Sequence, residues 1–307
     1  MSQIKVEYRG STSSALVVLA IGVNHYNLWS KTCRFSVLKY CQKYGHSLLV
    51  VTDFVERHGR AFEIKPTWQK FLIPKAICEQ FDGKITKVCF VDADVVISHR
   101  APDFELISFE TFACTSLFKN LPFNRAEILR KLAFLRKKFI DPCYPLSSFL
   151  HADAPATFQN CGLKPWEDMF CAGVFFVNVQ RIKDIFYQYY IELPDRPVSV
   201  TGGDQPYLND CVFNHFNPTW VGYEWQTIWN LELANNFSGF FDLYSDPIIL
   251  RVIKSVLDNC YILHFAGTWP ESSVYKNFQN IYGDEIVADE FRYEVANLGV
   301  LLPNQID

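Results

Sequence analysis

Residues 87–96 constrain this chain more than any other segment, because an apolar run there carries two carboxylates near its end, Asp92 and Asp94. A continuous apolar run is typical of a strand that is buried on both faces of a sheet. Side chains two positions apart on a strand point to the same face, so the two carboxylates can converge on one divalent cation, Mg²⁺ or Mn²⁺. The alternative is a strand followed by a loop that carries aspartate twice.

The sequence before this segment predicts strands that alternate with helices. An apolar run at 15–22 predicts the first strand, and a helical pattern follows from about residue 28 to Gly45. Residues 47–53 predict a second buried strand, and 68–78 a further helix. Strand, helix and strand in this succession favour a Rossmann-like α/β sheet with ligands at the carboxyl ends of its strands. No glycine-rich phosphate loop follows any of these strands, so a bound diphosphate would be neutralised mainly by metal.

Composition excludes several classes of protein. A net charge of −4 gives no general attraction to nucleic acid. The 10 cysteines are scattered singly among apolar neighbours, which favours buried thiols over a disulfide framework or a zinc site. We see neither a signal peptide nor a transmembrane segment. The expected location is therefore the cytoplasm.

Three later segments carry candidate functional residues. A buried strand at 170–179 begins with the small pair Ala172 and Gly173, where another group must approach the backbone closely. A glycine turn at 201–203 leads into a helix that starts near Asp204, whose carboxylate either points into a cleft or caps the helix. A short strand at 259–267 ends in His264, which is either a structural residue or a further ligand of the cation at Asp92 and Asp94.

Two other segments each allow two interpretations. The basic, amphipathic segment 123–140 is either a solvated helix face or a peripheral contact with an anionic membrane. The aromatic cluster at 220–229 suits stacking against sugar rings, although core packing is the commoner use of such residues.

In their order and spacing, these segments resemble the GT-A glycosyltransferases, most closely the retaining enzymes related to glycogenin and the bacterial lipooligosaccharide galactosyltransferases. The resemblance covers roughly residues 15–270. Its motifs comprise the opening strand followed by Tyr26, Trp68-X-Lys70, Asp92-X-Asp94, the strand that begins at 170 and ends in Asn178, Asp204-Gln205, and His264-Phe265-X-Gly267.

The resemblance implies a single GT-A catalytic domain over residues 1–307, with a nucleotide-sugar half at about 1–100 and an acceptor half at about 101–307. It also implies transfer of a hexose, with galactose or glucose favoured, from a UDP-linked donor to a glycan, glycolipid or glycoprotein acceptor with retention of configuration. Asp92, Asp94 and His264 would bind Mn²⁺ or Mg²⁺. The donor would lie against Tyr26, Lys70, Asp92, Ala172, Gly173 and Gly267. Asp204 and Gln205 would be catalytic.

Two alternatives stay open. An Asp-X-Asp pair at a strand end also suits a haloacid-dehalogenase-like phosphatase with an aspartyl nucleophile. The chain could also be a sugar-binding protein of this fold without turnover, because two positions depart from the family pattern. Cys171 stands where the family usually has asparagine, and the lysine that follows the Gly267 turn closely in the family is absent, with Lys276 further on.

Overall fold

The computed structural model describes residues 4–56, 65–136, 152–194, 203–243, 248–267 and 270–277. These residues form a seven-stranded mixed sheet with helices on both faces, and a second sheet of three short strands. The expected α/β class is therefore confirmed. The last four residues of the segment 123–140 lie outside the described residues, as do residues 141–151 that follow it.

The strands of the large sheet follow the order β1-β3-β2-β4-β7-β6-β8. β2, β3 and β4 are mutually parallel, β1 pairs antiparallel with β3, and β7 is antiparallel to both of its neighbours. The bounds of these strands are β1 Ile4–Tyr8, β2 Ser14–Leu19, β3 Ser47–Val51, β4 Lys87–Asp92, β6 Phe112–Ser116, β7 Phe170–Asn178 and β8 Thr219–Val221. The carboxyl ends of β2, β3, β4 and β6 thus share one edge with the amino end of β7.

Nine helices connect the strands in the described part of the chain. They are α1 Val23–Thr32, α2 Arg34–Tyr44, α3 Ile73–Gln80, α4 Arg125–Leu135, α5 Ala154–Asn160, α6 Val179–Glu192, α7 Gln205–His215, α8 Trp229–Asn236 and α9 Ile249–Leu257. The helix expected from about residue 28 to Gly45 begins earlier, at Val23, and is broken at Cys33. The helix expected at 68–78 is a 3₁₀ turn, Pro66–Phe71, followed by α3, which has Pro74 in its first turn.

The two faces of the large sheet bury separate apolar cores. Alternate residues of β2 divide between them: Leu16 and Val18 face one core, and Val17 and Leu19 face the other. The first core contains residues of α1, α2, α4, α8 and α9, and the second contains residues of α3, α6 and α7. This three-layer arrangement explains why the strand sequences are apolar at nearly every position.

Two expectations about strands are corrected by the structure. The run at 15–22 is not the first strand, because the edge strand β1 precedes it. Residues 87–96 do not form one strand: a turn at Ala93 and Asp94 separates β4 from β5, Val95–Ile97. β5 leaves the large sheet and pairs antiparallel with β10, Ile262–His264, which pairs in turn with β9, Thr227–Ile228.

Three further expectations can be compared with the fold. The nine described cysteines are all buried and none forms a disulfide, as expected. Among the described residues, no helix combines the length and the apolar character that crossing a bilayer requires. Of the apolar residues of α4, Ile128, Leu129 and Leu132 lie in the protein core, whereas Phe134 is exposed. A peripheral membrane contact through 123–140 therefore stays a prediction.

Candidate functional site

The turn after β4 and the end of β10 bring two carboxylates and an imidazole together. Asp92 is the last residue of β4, Asp94 lies in the turn, and His264 is the last residue of β10. The ladder between β5 and β10 aligns His264 with Val95, and the Phe265 N–H donates to the Asp94 carbonyl at 3.0 Å. One ligand atom from each of Asp92, Asp94 and His264 lies within 4.8 Å of the other two. The structure therefore brings the three expected metal ligands into one cluster.

The close approach expected at Gly173 is made by His264. A Cβ atom built on Gly173 would lie 2.1 Å from His264 Cε1 and 2.7 Å from each ring nitrogen. Real Cβ atoms do not come this close to other heavy atoms, so only glycine allows the imidazole to pack against β7. This contact fixes the position of the ring beside Asp94, whose Oδ1 is 3.3 Å from His264 Nε2.

Gln226 fixes the tautomer of the same imidazole. Its buried amide lies 3.2 Å from His264 Nδ1. When the amide oxygen faces the ring, it accepts hydrogen bonds from His264 Nδ1–H and from the Val174 N–H, and the amide nitrogen donates to the carbonyls of Cys171 and Val174. A metal-binding histidine usually donates its second ring N–H in this way. Nε2 of His264 therefore faces the carboxylates, and it would give up its proton when a cation binds there.

The electrostatics of the cluster favour a bound cation. Burial raises the pKa of Asp92 and the neighbouring Asp94 raises it further, although Lys70 and His264 act in the opposite direction. Burial alone would lower the pKa of His264, but Asp94 and Cys171 together outweigh burial and raise that pKa well above its usual value. Two carboxylates in a partly buried site thus attract positive charge, which a divalent ion can supply.

Lys70 lies between the cluster and the start of α7. Its buried ammonium is 3.1 Å from Asp92 Oδ1 and 3.5 Å from Asp204 Oδ2, and it donates to the Ala172 carbonyl at 2.8 Å. Burial disfavours the charge on Lys70, but Asp204 and Asp92 together raise its pKa above the usual value. Lys70 is therefore a fixed positive charge that joins the candidate metal ligand Asp92 to the candidate catalytic residue Asp204.

Asp204 and Gln205 mark the beginning of α7, against β7. Asp204 occupies the N-cap position, but its side chain makes no capping hydrogen bond, and its carboxylate pairs with Lys70 instead. The interpretation of Asp204 as a helix cap is therefore wrong. The Gln205 amide oxygen accepts the Ala172 N–H at 3.2 Å, and Asn209, one turn later, hydrogen-bonds Phe170 through both ends of its amide. These bonds fasten the start of α7 to the edge where β7 begins.

Other expected site residues contact different parts of the molecule. The Tyr26 hydroxyl accepts from Lys5 at 2.6 Å and donates to Glu7 at 3.2 Å, both of which belong to β1. Gly267 adopts a φ of +99°, which glycine tolerates, in the turn that follows β10. Lys276 is exposed and lies over the Tyr275 ring.

Two residues near the cluster were not predicted from the sequence. Gln226 lies within the aromatic segment 220–229, which gave no indication of a polar role. Tyr275 is buried, and its pKa is raised first by burial and then by the carboxylates of Asp94 and Asp92, so its ring lies near both. No pattern in the sequence indicates Tyr275, because it reaches the cluster only through the fold.

The aromatic cluster itself belongs mainly to the core. Trp229, Trp225 and Tyr223 are buried, and the Trp225 ring packs edge-on against Phe176 at 5.3 Å. Only Trp220 is exposed among the aromatic residues of this segment. The interpretation as a sugar-stacking surface is therefore wrong for three of these four rings.

The sequence matches no protein-family model and no curated protein. Among solved structures, the fold is similar to that of the WbbM bifunctional glycosyltransferase, with a TM-score of 0.50 and 12% identity over 94% of this chain. This chain covers 52% of the WbbM chain, about half of its length. A glycosyltransferase involved in the glycosylation of the major capsid of PBCV-1 has a TM-score of 0.47 and 12% identity, with 85% of this chain and 98% of that chain covered.

The likeness to WbbM establishes the fold alone, since the identity is low. This chain has a fold of the GT-A type found in glycosyltransferases. The narrower resemblance to the retaining enzymes related to glycogenin stays a prediction.

Proposed function

We propose that this protein is a metal-dependent glycosyltransferase that moves a sugar from a nucleotide sugar to a glycan acceptor. The observation that carries the proposal is the cluster of Asp92, Asp94 and His264, whose ligand atoms lie within 4.8 Å of one another in a GT-A-type fold. The cluster follows β4 at the sheet edge where ligands bind in α/β folds of this kind.

The residues of the cluster fit a divalent cation. Two carboxylate oxygens and one imidazole nitrogen suit Mn²⁺ better than Mg²⁺, which prefers oxygen ligands alone. Gly173 and Gln226 support the same conclusion, because both hold His264 with Nε2 facing Asp94. When bound, the cation would stabilise the negative charge that develops on the leaving diphosphate.

The residues around the cluster suggest how this chain would act on the sugar. Asp204 and Gln205 would lie beneath the anomeric carbon, where an amide or carboxylate oxygen stabilises developing positive charge. Lys70 would hold Asp92 and Asp204 in a fixed relation, since its ammonium contacts both. We further propose a UDP-linked hexose as the donor, with galactose or glucose favoured, and retention of configuration, because these follow from the resemblance of the motifs.

The experiment that tests the proposal is a calorimetric and thermal-shift screen of the protein against UDP-, GDP- and CMP-sugars, each with Mn²⁺ or with a chelator. We expect a stabilising shift with one nucleotide class that depends on Mn²⁺. Asp94→Asn should abolish the metal-dependent shift, whereas Asp82→Asn, at an exposed position outside the cluster, should leave it intact. Unchanged donor affinity in Asp94→Asn would contradict the proposed site.

Assays of phosphate release and of sugar transfer, run beside this screen, separate the alternatives. Release of phosphate from simple phosphoesters, without any response to nucleotide sugars, would favour the phosphatase. Tight donor binding without hydrolysis or transfer would favour a sugar-binding protein without turnover.

A further inference from the structure

A cavity of about 650 Å³ opens beside the first turns of α4, and it contains none of the residues discussed above as metal ligands or catalytic groups. It lies between the loop that follows β6, the first turns of α4 and the N-cap residue of α5. The lining residues are Phe118, Phe123, Asn124, Arg125, Ala126, Leu129, Arg130 and Asp153.

The wall of the cavity combines aromatic rings with positive charge. The guanidinium carbon of Arg125 lies 4.0 Å from the centre of the Phe118 ring. Two arginines face one carboxylate, and that carboxylate, Asp153, already accepts the Ala156 N–H as the cap of α5. Among the described lining residues, positive charge therefore exceeds negative charge, beside apolar surface.

Arg125 lacks the partners that a half-buried guanidinium normally has. In the described part of the chain, no group forms a hydrogen bond or an ion pair with it, and its guanidinium lies over the Phe118 ring. Burial lowers the pKa of Arg125 to about 10, although Asp153 acts to raise it, so the side chain keeps its charge at neutral pH. A partly desolvated cation without a hydrogen-bonded anion favours the binding of one.

The start of α4 adds to this preference for an anion. The Asn124 side-chain oxygen accepts the Glu127 N–H at 3.2 Å, which leaves the amide nitrogen able to donate. The amino end of an eleven-residue helix also carries partial positive charge. The side chains and the helix terminus therefore both favour an anion in this cavity.

The cavity belongs to the segment 101–307, for which the resemblance implies acceptor binding, and two contacts join it to elements of the candidate active site. The loop that forms it follows Ser116, the last residue of β6, and the next residue, Leu117, donates its N–H to the Met169 carbonyl just before β7. The Phe123 ring packs edge-on against Tyr223, in the same 3₁₀ turn as Gln226. These contacts connect the loop of the cavity to the start of β7 and to the 3₁₀ turn of Gln226. The described lining residues include no pair of carboxylates that could bind the metal of a donor diphosphate.

We propose that this cavity binds an acidic sugar of the acceptor glycan, with Arg125 and Arg130 pairing with its carboxylate or phosphate group and Phe118 and Phe123 packing against its ring. The proposal rests on the proposed function, since it names the acceptor class for that reaction. Arginine is suited to this task because its planar fork matches the oxygens of both anions, and aromatic faces pack against the apolar faces of sugar rings.

The test compares two sugars that differ mainly in charge, glucuronate and glucose, by saturation-transfer NMR and titration calorimetry. We expect wild-type protein to bind glucuronate at least about tenfold more tightly than glucose, the amount that one charged hydrogen bond supplies. Arg125→Gln and Arg130→Gln should each reduce the preference for glucuronate by about tenfold. Arg251→Gln, an exposed position on α9, is the matched control and should leave it unchanged.

Three results would overturn the proposal: equal affinity for the two sugars, no binding of glucuronate at millimolar concentration, or a preference that survives Arg125→Gln. Anionic phosphatidylglycerol vesicles are a further arm, and Arg125-dependent binding to vesicles without binding to glucuronate would assign the cavity to a membrane surface instead. Donor binding with Mn²⁺ is measured on the same variants and should not change. If wild-type protein bound no nucleotide sugar in the presence of Mn²⁺, the proposed function would be contradicted. The preference for glucuronate tests the cavity proposal independently of that result.

Discussion

At the scale of single residues, the position of His264 depends on the absence of a side chain at residue 173. In Gly173→Ala the new methyl group would overlap the imidazole, since the built Cβ lies 2.1 Å from Cε1. We expect the ring to move away from Asp94 and the affinity for Mn²⁺ to fall by about 10–100-fold, the range seen when groups that orient a ligand are lost. Calorimetry or electron paramagnetic resonance of Mn²⁺ measures this change.

Gly239→Ala is the control for this prediction, because a Cβ there meets no atom within 4 Å. Circular dichroism should show that both variants fold. Undiminished Mn²⁺ affinity in Gly173→Ala would mean that His264 is not a ligand of the ion.

A second prediction at the scale of single residues concerns Gln226. Gln226→Leu removes the acceptor for His264 Nδ1–H, so we expect the imidazole to lose its fixed tautomer and Mn²⁺ binding to weaken by about 10-fold or more. Gln226→Glu keeps an acceptor at the same place and should retain more of the affinity. The nitrogen chemical shifts of His264, measured at a pH above its raised pKa where the imidazole is neutral, report the tautomer directly.

A wild-type tautomer in Gln226→Leu would show that another group, such as the nearby Cys171 sulfur at 3.7 Å from Nδ1, orients the ring. The comparison with Gln226→Glu also separates loss of the acceptor from a general loss of packing.

The candidate ligands could be predicted from the sequence, whereas the groups that orient them could not. Asp92, Asp94 and His264 each stand at the end of an apolar run, and strand ends meet at one edge of a sheet. Gln226 precedes His264 by 38 residues and contacts it only because β9 and β10 pair. The close approach at Gly173 was predicted, but the approaching group was not, since the sequence does not give the crossing of β7 and β10.

At the scale of elements, the carboxylate of Glu7 joins β1 to the helix α2. Glu7 is 2.8 Å from both Lys5 and Arg34, and Arg34 begins α2. Burial raises the pKa of Glu7, but the two cations outweigh burial and lower it below its ordinary value of 4.5. The ionised form is therefore favoured in the folded protein.

The pH dependence of stability follows from that direction. Because the folded pKa of Glu7 is depressed, its contribution is fully present above pH 4.5 and is lost as the pH falls through the lowered pKa. We expect Glu7→Gln to reduce the free energy of unfolding by about 1 kcal/mol at neutral pH, as for a well-formed ion pair near the surface, and by progressively less below pH 4.5. Urea titrations across this range measure the difference.

Glu79→Gln, at an exposed position on α3, is the matched control and should change stability little at any pH. A Glu7→Gln deficit that persists undiminished in acid would mean that the loss arises from packing rather than from charge.

The ends of helices and strands were predicted well where the hydrophobic pattern changes or a glycine occurs. They were predicted poorly where pairing with a distant strand sets the boundary. β7 lies close to its expected position, because an apolar run ends there at Asn178. The division between β4 and β5 was not visible, since Val95 and Val96 continue the apolar run although they pair with β10 in another sheet. That division places Asp94 in a turn, from which it can reach His264.

At the scale of the whole molecule, the first core joins the beginning and the end of the described chain. Leu48 of β3 and Ile253 of α9 both lie buried in it, and so do Trp29 of α1 and Trp229 of α8. The sequence predicted the α/β class but not this arrangement, because the order of the strands depends on which helices cover each face. One shared core is the basis for predicting that the described residues before and after position 100 fold as one unit.

This arrangement predicts that the two parts unfold together. Leu48→Ala and Ile253→Ala should each lower the free energy of unfolding by about 2–5 kcal/mol, because each leaves a cavity among fully buried side chains. Hydrogen exchange followed by mass spectrometry reports β3 and α9 separately, and in a single cooperative unit each substitution lowers the opening free energy of both by the same amount. If Leu48→Ala destabilised β3 and left α9 unchanged, the two halves would be independent domains, and the cluster of Asp92, Asp94 and His264 would lie at their interface.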